Sequence, residues 1–110
     1  MTQAFVPFGP SFVVNGDTTG DQIVPTSAPL PDGSTVVAYQ SADLSGSGDG
    51  TVIRLAHLNA DGTPLGSDIL VSTASADNQV YPVVRALPDG NFVVSWIDST
   101  TSTLYARIYS

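Results

Sequence analysis

The chain has 110 residues, room for one domain, and its 42% hydrophobic and 12% charged content is too apolar for a disordered segment. Every acid is aspartate (ten), the only cations are three arginines, the net charge is −7 and cysteine is absent. That balance argues against nucleic acid and anionic membranes, and excludes disulfides and thiol chemistry. No apolar run reaches the length of a membrane-spanning helix. The opening MTQAFVPFGP lacks a basic stretch followed by a long apolar one, so no secretory signal is expected within it.

In chain order, the first expected strand is Gly9–Asn15, GPSFVVN. Ile23–Leu30 follows, then the turn PDG and a strand at Ser34–Ser41. Proline presets φ at the first central position of such a turn, and glycine takes the backbone region closed to other residues. After the polar loop ADLSGSGDGT come a strand at Thr51–Asn59, the turn ADGTP and a strand at Gly66–Ser72. Three more strands close the series: Val80–Leu87, Asn91–Asp98 across a second PDG turn, and Thr103–Ser110. Val, Ile, Tyr, Phe and Thr crowd these segments, and no helix is predicted.

The second half repeats the first. At a constant offset of 57 residues, Pro7 falls on Pro64, Gln22 on Gln79, Pro25 on Pro82, Leu30-Pro31-Asp32-Gly33 on Leu87-Pro88-Asp89-Gly90, and Val36-Val37 on Val93-Val94. Beyond the polar loop the offset drops to 51, which sets Ile53–Asn59 on Leu104–Ser110. The chain is therefore one domain, 1–110, made of two tandem repeats spanning about 7–59 and 64–110.

The repeats and the sheets are out of phase. A fourth strand opens the chain, a full unit of four follows, and three strands of the next end it. The expected fold is all-β, with two four-stranded antiparallel propeller-type blades per chain, closed by oligomerisation. Strand 9–15 would complete the last blade of this chain or of a neighbour. Propellers need roughly four to eight blades, so a homotrimer is preferred and a homotetramer is the alternative. An eight-stranded β-sandwich is the competing fold, ahead of a solenoid fragment.

The phrase LPDG-x-x-VV-x-(W/Y), a Gly/Asp-rich loop and ADGTPLG-x-x-x-x-V resembles a repeat module of large secreted bacterial proteins with haemolysin-type (RTX) calcium-binding regions. The matching residues are Ala28–Tyr39, Asp49–Val71 and Ala86–Trp96. The resemblance implies an extracellular or cell-surface location and an adhesive role. The calcium nonapeptide of that family, Gly-Gly-x-Gly-x-Asp, is absent, so calcium is not implied. In architecture the chain is similar to oligomeric propeller lectins built from two blades per chain, an analogy of fold only.

Catalysis is not expected. His57 is the sole histidine and takes an apolar slot whose counterpart is Ile108. One histidine without cysteine does not build a typical zinc site, no Ser-His-Asp spacing stands out, and turns already account for Asp32, Asp49, Asp61 and Asp89. Asp43 and Asp49 could hold a hard cation, but a polar hairpin loop explains them more simply, so no metal or cofactor is expected. Tyr39 and Trp96 share a register in their strands and are the candidate sugar platforms. Trp96 with Asp98, and Tyr39 with Gln40 and Arg54, form the candidate ligand kit, set against a packing role for both rings. The reading is a non-enzymatic, carbohydrate-binding homo-oligomer. A structural or adhesive component of a bacterial surface or virion assembly is the alternative.

Overall fold

The computed structural model describes residues 10–14, 22–42, 50–72 and 78–110. Two antiparallel sheets are present, and no helix occurs among the described residues. The first runs in the order β1 (Gln22–Pro29), β2 (Thr35–Ala42), β3 (Thr51–Leu58) and β4 (Ile69–Leu70). The second holds β5 (Gln79–Ala86), β6 (Phe92–Asp98) and β7 (Thr103–Tyr109). The fourth strand expected over Gly66–Ser72 is cut to two residues: the chain turns at Gly66 (φ 87°), pairs with Arg54 and Leu55, and then bonds the Ile53 carbonyl through Val71 N–H. Residues 10–14 of the expected opening strand carry no strand, and Gly9 and Asn15 lie outside the described residues.

Backbone irregularities fall at matching positions in the two sheets. β1 slips register between Ile23 and Thr26, and β5 between Val80 and Val83. The two bulges contain Val24 (φ 53°) and Tyr81 (φ 56°), left-handed conformations that are costly for a β-branched or bulky residue. Each precedes a proline, Pro25 or Pro82, which has no N–H to give the ladder, so the bulge lets a proline sit inside a paired strand. A third Asp-Gly turn joins the two PDG turns. Gly33, Gly90 and Gly62 donate N–H to the carbonyls of Leu30, Leu87 and Asn59 at 3.1, 3.2 and 2.9 Å. In each, the aspartate accepts the N–H two residues on: Ser34 to Asp32, Asn91 to Asp89 and Thr63 to Asp61.

The sheets pack face to face, and the faces are of opposite kind. Alternation places Thr26, Ala28, Val36, Ala38, Gln40, Ile53, Leu55, His57, Ile69 and Val71 on one side of the first sheet, its leading face. The second sheet meets it with Val84, Phe92, Val94 and Trp96, from what by the repeat is its trailing face. Ala28, Val36, Ala38, Ile53, Leu55 and Val71 form one core with those four. Leading face on trailing face is a heterologous contact, the kind that can be repeated head to tail. Polar bonds pin it, among them Tyr81 N–H to Gln40 Oε1 (2.9 Å), Arg107 Nη1 to the Val71 carbonyl (2.9 Å) and Thr51 Oγ1 to the Gln79 carbonyl (2.7 Å).

Candidate functional site

The contact between the sheets opens at the PDG-turn end into a cleft of about 470 Å³. The first sheet contributes Asp32, His57, Ser67 and Ile69 to its lining, and the second Phe92, Tyr109 and the terminal Ser110. Phe92 and Tyr109 stack with centroids 5.3 Å apart and planes 16° from parallel. Their cross-strand pairing, Phe92 opposite Tyr109, sets this up. One wall is therefore aromatic, while the other carries a carboxylate, an imidazole and a hydroxyl. Clefts of this size with a few convergent polar groups commonly hold small ligands.

The polar wall is fixed by a relay. Asp32 accepts both the backbone N–H (2.9 Å) and the hydroxyl of Ser34, and Ser34 Oγ lies 2.9 Å from His57 Nε2. These two donors of Ser34 hold the Asp32 carboxyl below the ordinary aspartate pKa, so it is ionised and can only accept. Since the Ser34 proton is committed to Asp32, His57 must be the donor to Ser34 Oγ, which assigns its proton to Nε2 by elimination. A hydroxyl held by a carboxylate and receiving a proton from imidazole is the reverse of an activated nucleophile, whose proton is taken by the base. The trio stiffens a turn and presents polar edges to the cleft.

The residues singled out from the sequence divide between two faces. Tyr39 is opposite Arg54 on the trailing face of the first sheet, where Tyr39 is 4% exposed and its hydroxyl donates to Asp68. Gln40 points the other way, onto the core side, where it accepts the Tyr81 N–H. Trp96, also 4% exposed, lies in the core, and Asp98 is buried beside it. Gln79 connects them: Trp96 Nε1 donates to Gln79 Oε1 (2.9 Å), and Gln79 Nε2 donates to Asp98 Oδ2 (3.1 Å). Asp98 Oδ1 in turn accepts the N–H groups of Thr100 and Thr101 at the β6–β7 turn. In the single chain, both proposed ring platforms are thus inside. Aromatic surface is offered instead by Tyr105, which stacks on Trp96 at 5.9 Å, and by Tyr109 in the cleft.

Sequence reasoning missed Gln79, Asp68, Ser34 and Tyr109. For Gln79 a signal existed, since it is one of the positions identical between the repeats. Asp43 and Asp49 lie outside the described residues. Among the described residues, no group of three side chains is suited to holding a metal ion, and no helix is long and apolar enough to cross a membrane. No protein-family model matches the chain, and no curated protein matches it.

Proposed function

We propose that the protein is a non-enzymatic binding module that takes carbohydrate in the cleft between its two sheets, within a homo-oligomeric propeller displayed outside the cell or on its surface. The cleft carries this reading: a stacked aromatic wall suits the apolar C–H face of a sugar, and the Asp32 and His57 wall, braced by Ser34, suits its hydroxyls. Buried Trp96, Tyr39 and Asp98 lie outside the cleft lining and do not touch the ligand. Three chains would give six blades and four would give eight, both within the range for propellers. Repetition of weak clefts on one ring raises avidity, the usual advantage of such assemblies.

Glycan-array binding tests the reading with the wild type, Tyr109→Ala and His57→Ala. Selective binding that both variants lose, with Trp96 fluorescence unchanged, is the expected result. Uniform silence by the wild type overturns the carbohydrate ligand and favours a structural or adhesive component. The uncovered apolar face of the second sheet supports that second reading.

A further inference from the structure

The leading face of the first sheet is covered, and its counterpart on the second sheet is not. At the offsets of 57 and 51, Ile53 (0% exposed) corresponds to Leu104 (72%), and buried Gln40 to exposed Ile97. Likewise Thr26 and His57 correspond to Val83 and Ile108, both exposed. Three positions that are polar on the covered face, Thr26, Gln40 and His57, are apolar on the open one, while Ala28 and Ala38 give way to Arg85 and Ser95. A solvated sheet face ordinarily shows the opposite trend, polar outward, and contiguous exposed apolar surface marks an interaction site.

The fourth strand shows the same imbalance. In the first sheet Ile69 pairs with Leu55, Leu70 pairs with Arg54, and Val71 N–H donates to the Ile53 carbonyl at 2.8 Å. By the repeat, the matching residues for the second sheet are Phe12, Val13 and Val14, yet among the described residues β7 has no strand on its outer side. Residues 10, 12 and 13 instead share a groove with Thr35, Leu58 and the Asp61–Pro64 turn. The Phe12 ring is so close that a Cβ on Gly62 would come within 2.5 Å of it. Thr35 and Leu58 belong to the trailing face of the first sheet, the side away from the second sheet. The segment thus waits on the face where a preceding copy would dock, and the first sheet stands between it and its own β7.

We propose that the open face of β5–β7 is covered by the trailing face of the first sheet of a second copy, and that this copy donates residues 12–14 as the missing fourth strand. The register follows from the first sheet: Phe12 opposite Ala106, Val13 opposite Tyr105, and Val14 N–H on the Leu104 carbonyl. The occupant is a second copy because the chain already contains a contact of this kind once, between its own two sheets, and a heterologous contact repeats head to tail, closing into a ring where the rotation permits. The trailing face of the first sheet is itself covered in this chain, with Tyr39, Ser41, Val52, Ala56 and Leu58 0–6% exposed, so docking requires that cover to lift away as residues 10–14 move onto the neighbour. This assignment rests on the ring reading above and names its faces and its exchanged strand.

The protein has no cysteine, so the double variant Val13→Cys/Tyr105→Cys introduces the only pair. Residues directly opposite in antiparallel strands have Cα atoms about 4.5–5.5 Å apart, within disulfide reach. After mild oxidation, a non-reducing gel is expected to show a ladder ending at the ring size that light scattering gives for the wild type. Leu104→Asp is expected to keep the circular dichroism and Trp96 fluorescence of the fold but to scatter as single chains. If the wild type has the mass of a ring and the cysteines link only within chains, or not at all, the strand exchange is overturned while the ring stands. If the wild type has the mass of one chain at tens of micromolar, ring and exchange fall together. Neither measurement involves a sugar, so the carbohydrate reading is judged separately.

Discussion

The two sheets share a plan and differ in what covers them. In the first, the leading face is closed over by the second sheet, and positions such as Gln40 and His57 carry polar groups with defined partners, Tyr81 N–H and Ser34 Oγ. In the second, the equivalent positions are Ile97 and Ile108, which are exposed. Polar side chains are affordable where a fixed neighbour supplies hydrogen bonds. On the open face those positions are apolar, beside Arg85 and Ser95. The two clefts of a ring would differ accordingly. The one within a chain holds His57 and the Phe92–Tyr109 stack, while the one between chains would present Ile108 against Thr35 and Leu58. Ligand should therefore bind once per chain, not once per blade, a stoichiometry that isothermal titration can read.

The sharpest way to break the comparison is to truncate the matched pair Ile53 and Leu104. Ile53→Ala should cost about 2–5 kcal/mol of stability, since it leaves a cavity in a closed core. Leu104→Ala, measured by urea denaturation where light scattering shows single chains, should stay within about 0.5 kcal/mol. Equal costs would mean that the second sheet is already covered in the isolated chain. Next in size is Gln79→Ala, which strips Trp96 Nε1 of its acceptor and Asp98 of a donor. Unsatisfied buried groups cost about 1–3 kcal/mol, and the loss should appear as a lower urea midpoint.

Much of the fold was legible because alternation and turn chemistry are local. The PDG and ADG turns fixed where strands end, and the repeat offsets made each strand of one half check its partner in the other. The short β4 was not legible. Whether GSDILVS pairs along its length depends on the turn at Gly66 and on the neighbouring strand, which pattern alone does not contain. The site was less legible for a related reason. Alternation places Tyr39 and Trp96 on equivalent faces but does not say which face is covered, and that was decided by the packing of leading face on trailing face. The polar links of Trp96 to Gln79 and of Tyr39 to Asp68 span 17 and 29 residues, so no short motif announces them.

The turn glycines offer a finer comparison. Gly33 and Gly62 share a left-handed backbone, φ 90° and 89°, but only Gly62 lies against Phe12. Gly33→Ala should cost about 1–2 kcal/mol from the backbone alone. Gly62→Ala carries that cost and also evicts Phe12, so it should shift the protein toward the assembled form at lower concentration. Sedimentation across a dilution series would show this, and an unchanged association would separate the position of Phe12 from assembly.

The smallest effect concerns acid. The hydroxyl and N–H of Ser34, in that order, hold the Asp32 carboxyl below its ordinary pKa, with the charge of His57 adding a lesser push. Because the folded-state value lies below the unfolded one, the carboxylate contributes stability that is fully present above the ordinary aspartate range. That contribution drains away as pH falls toward the depressed folded value. Asp61, bonded to the hydroxyl and N–H of Thr63, should behave in the same way. In Ser34→Ala the Asp32 carboxyl loses its strongest donor, so its titration, followed by carboxyl-carbon NMR, should move up toward the ordinary range while Asp61 stays put. If both aspartates moved, the substitution would have disturbed more than this turn; if neither did, the Ser34 hydroxyl would not be the cause. A shift confined to Asp32 would tie the polar wall of the cleft to the one Asp-Gly turn that has a histidine behind it.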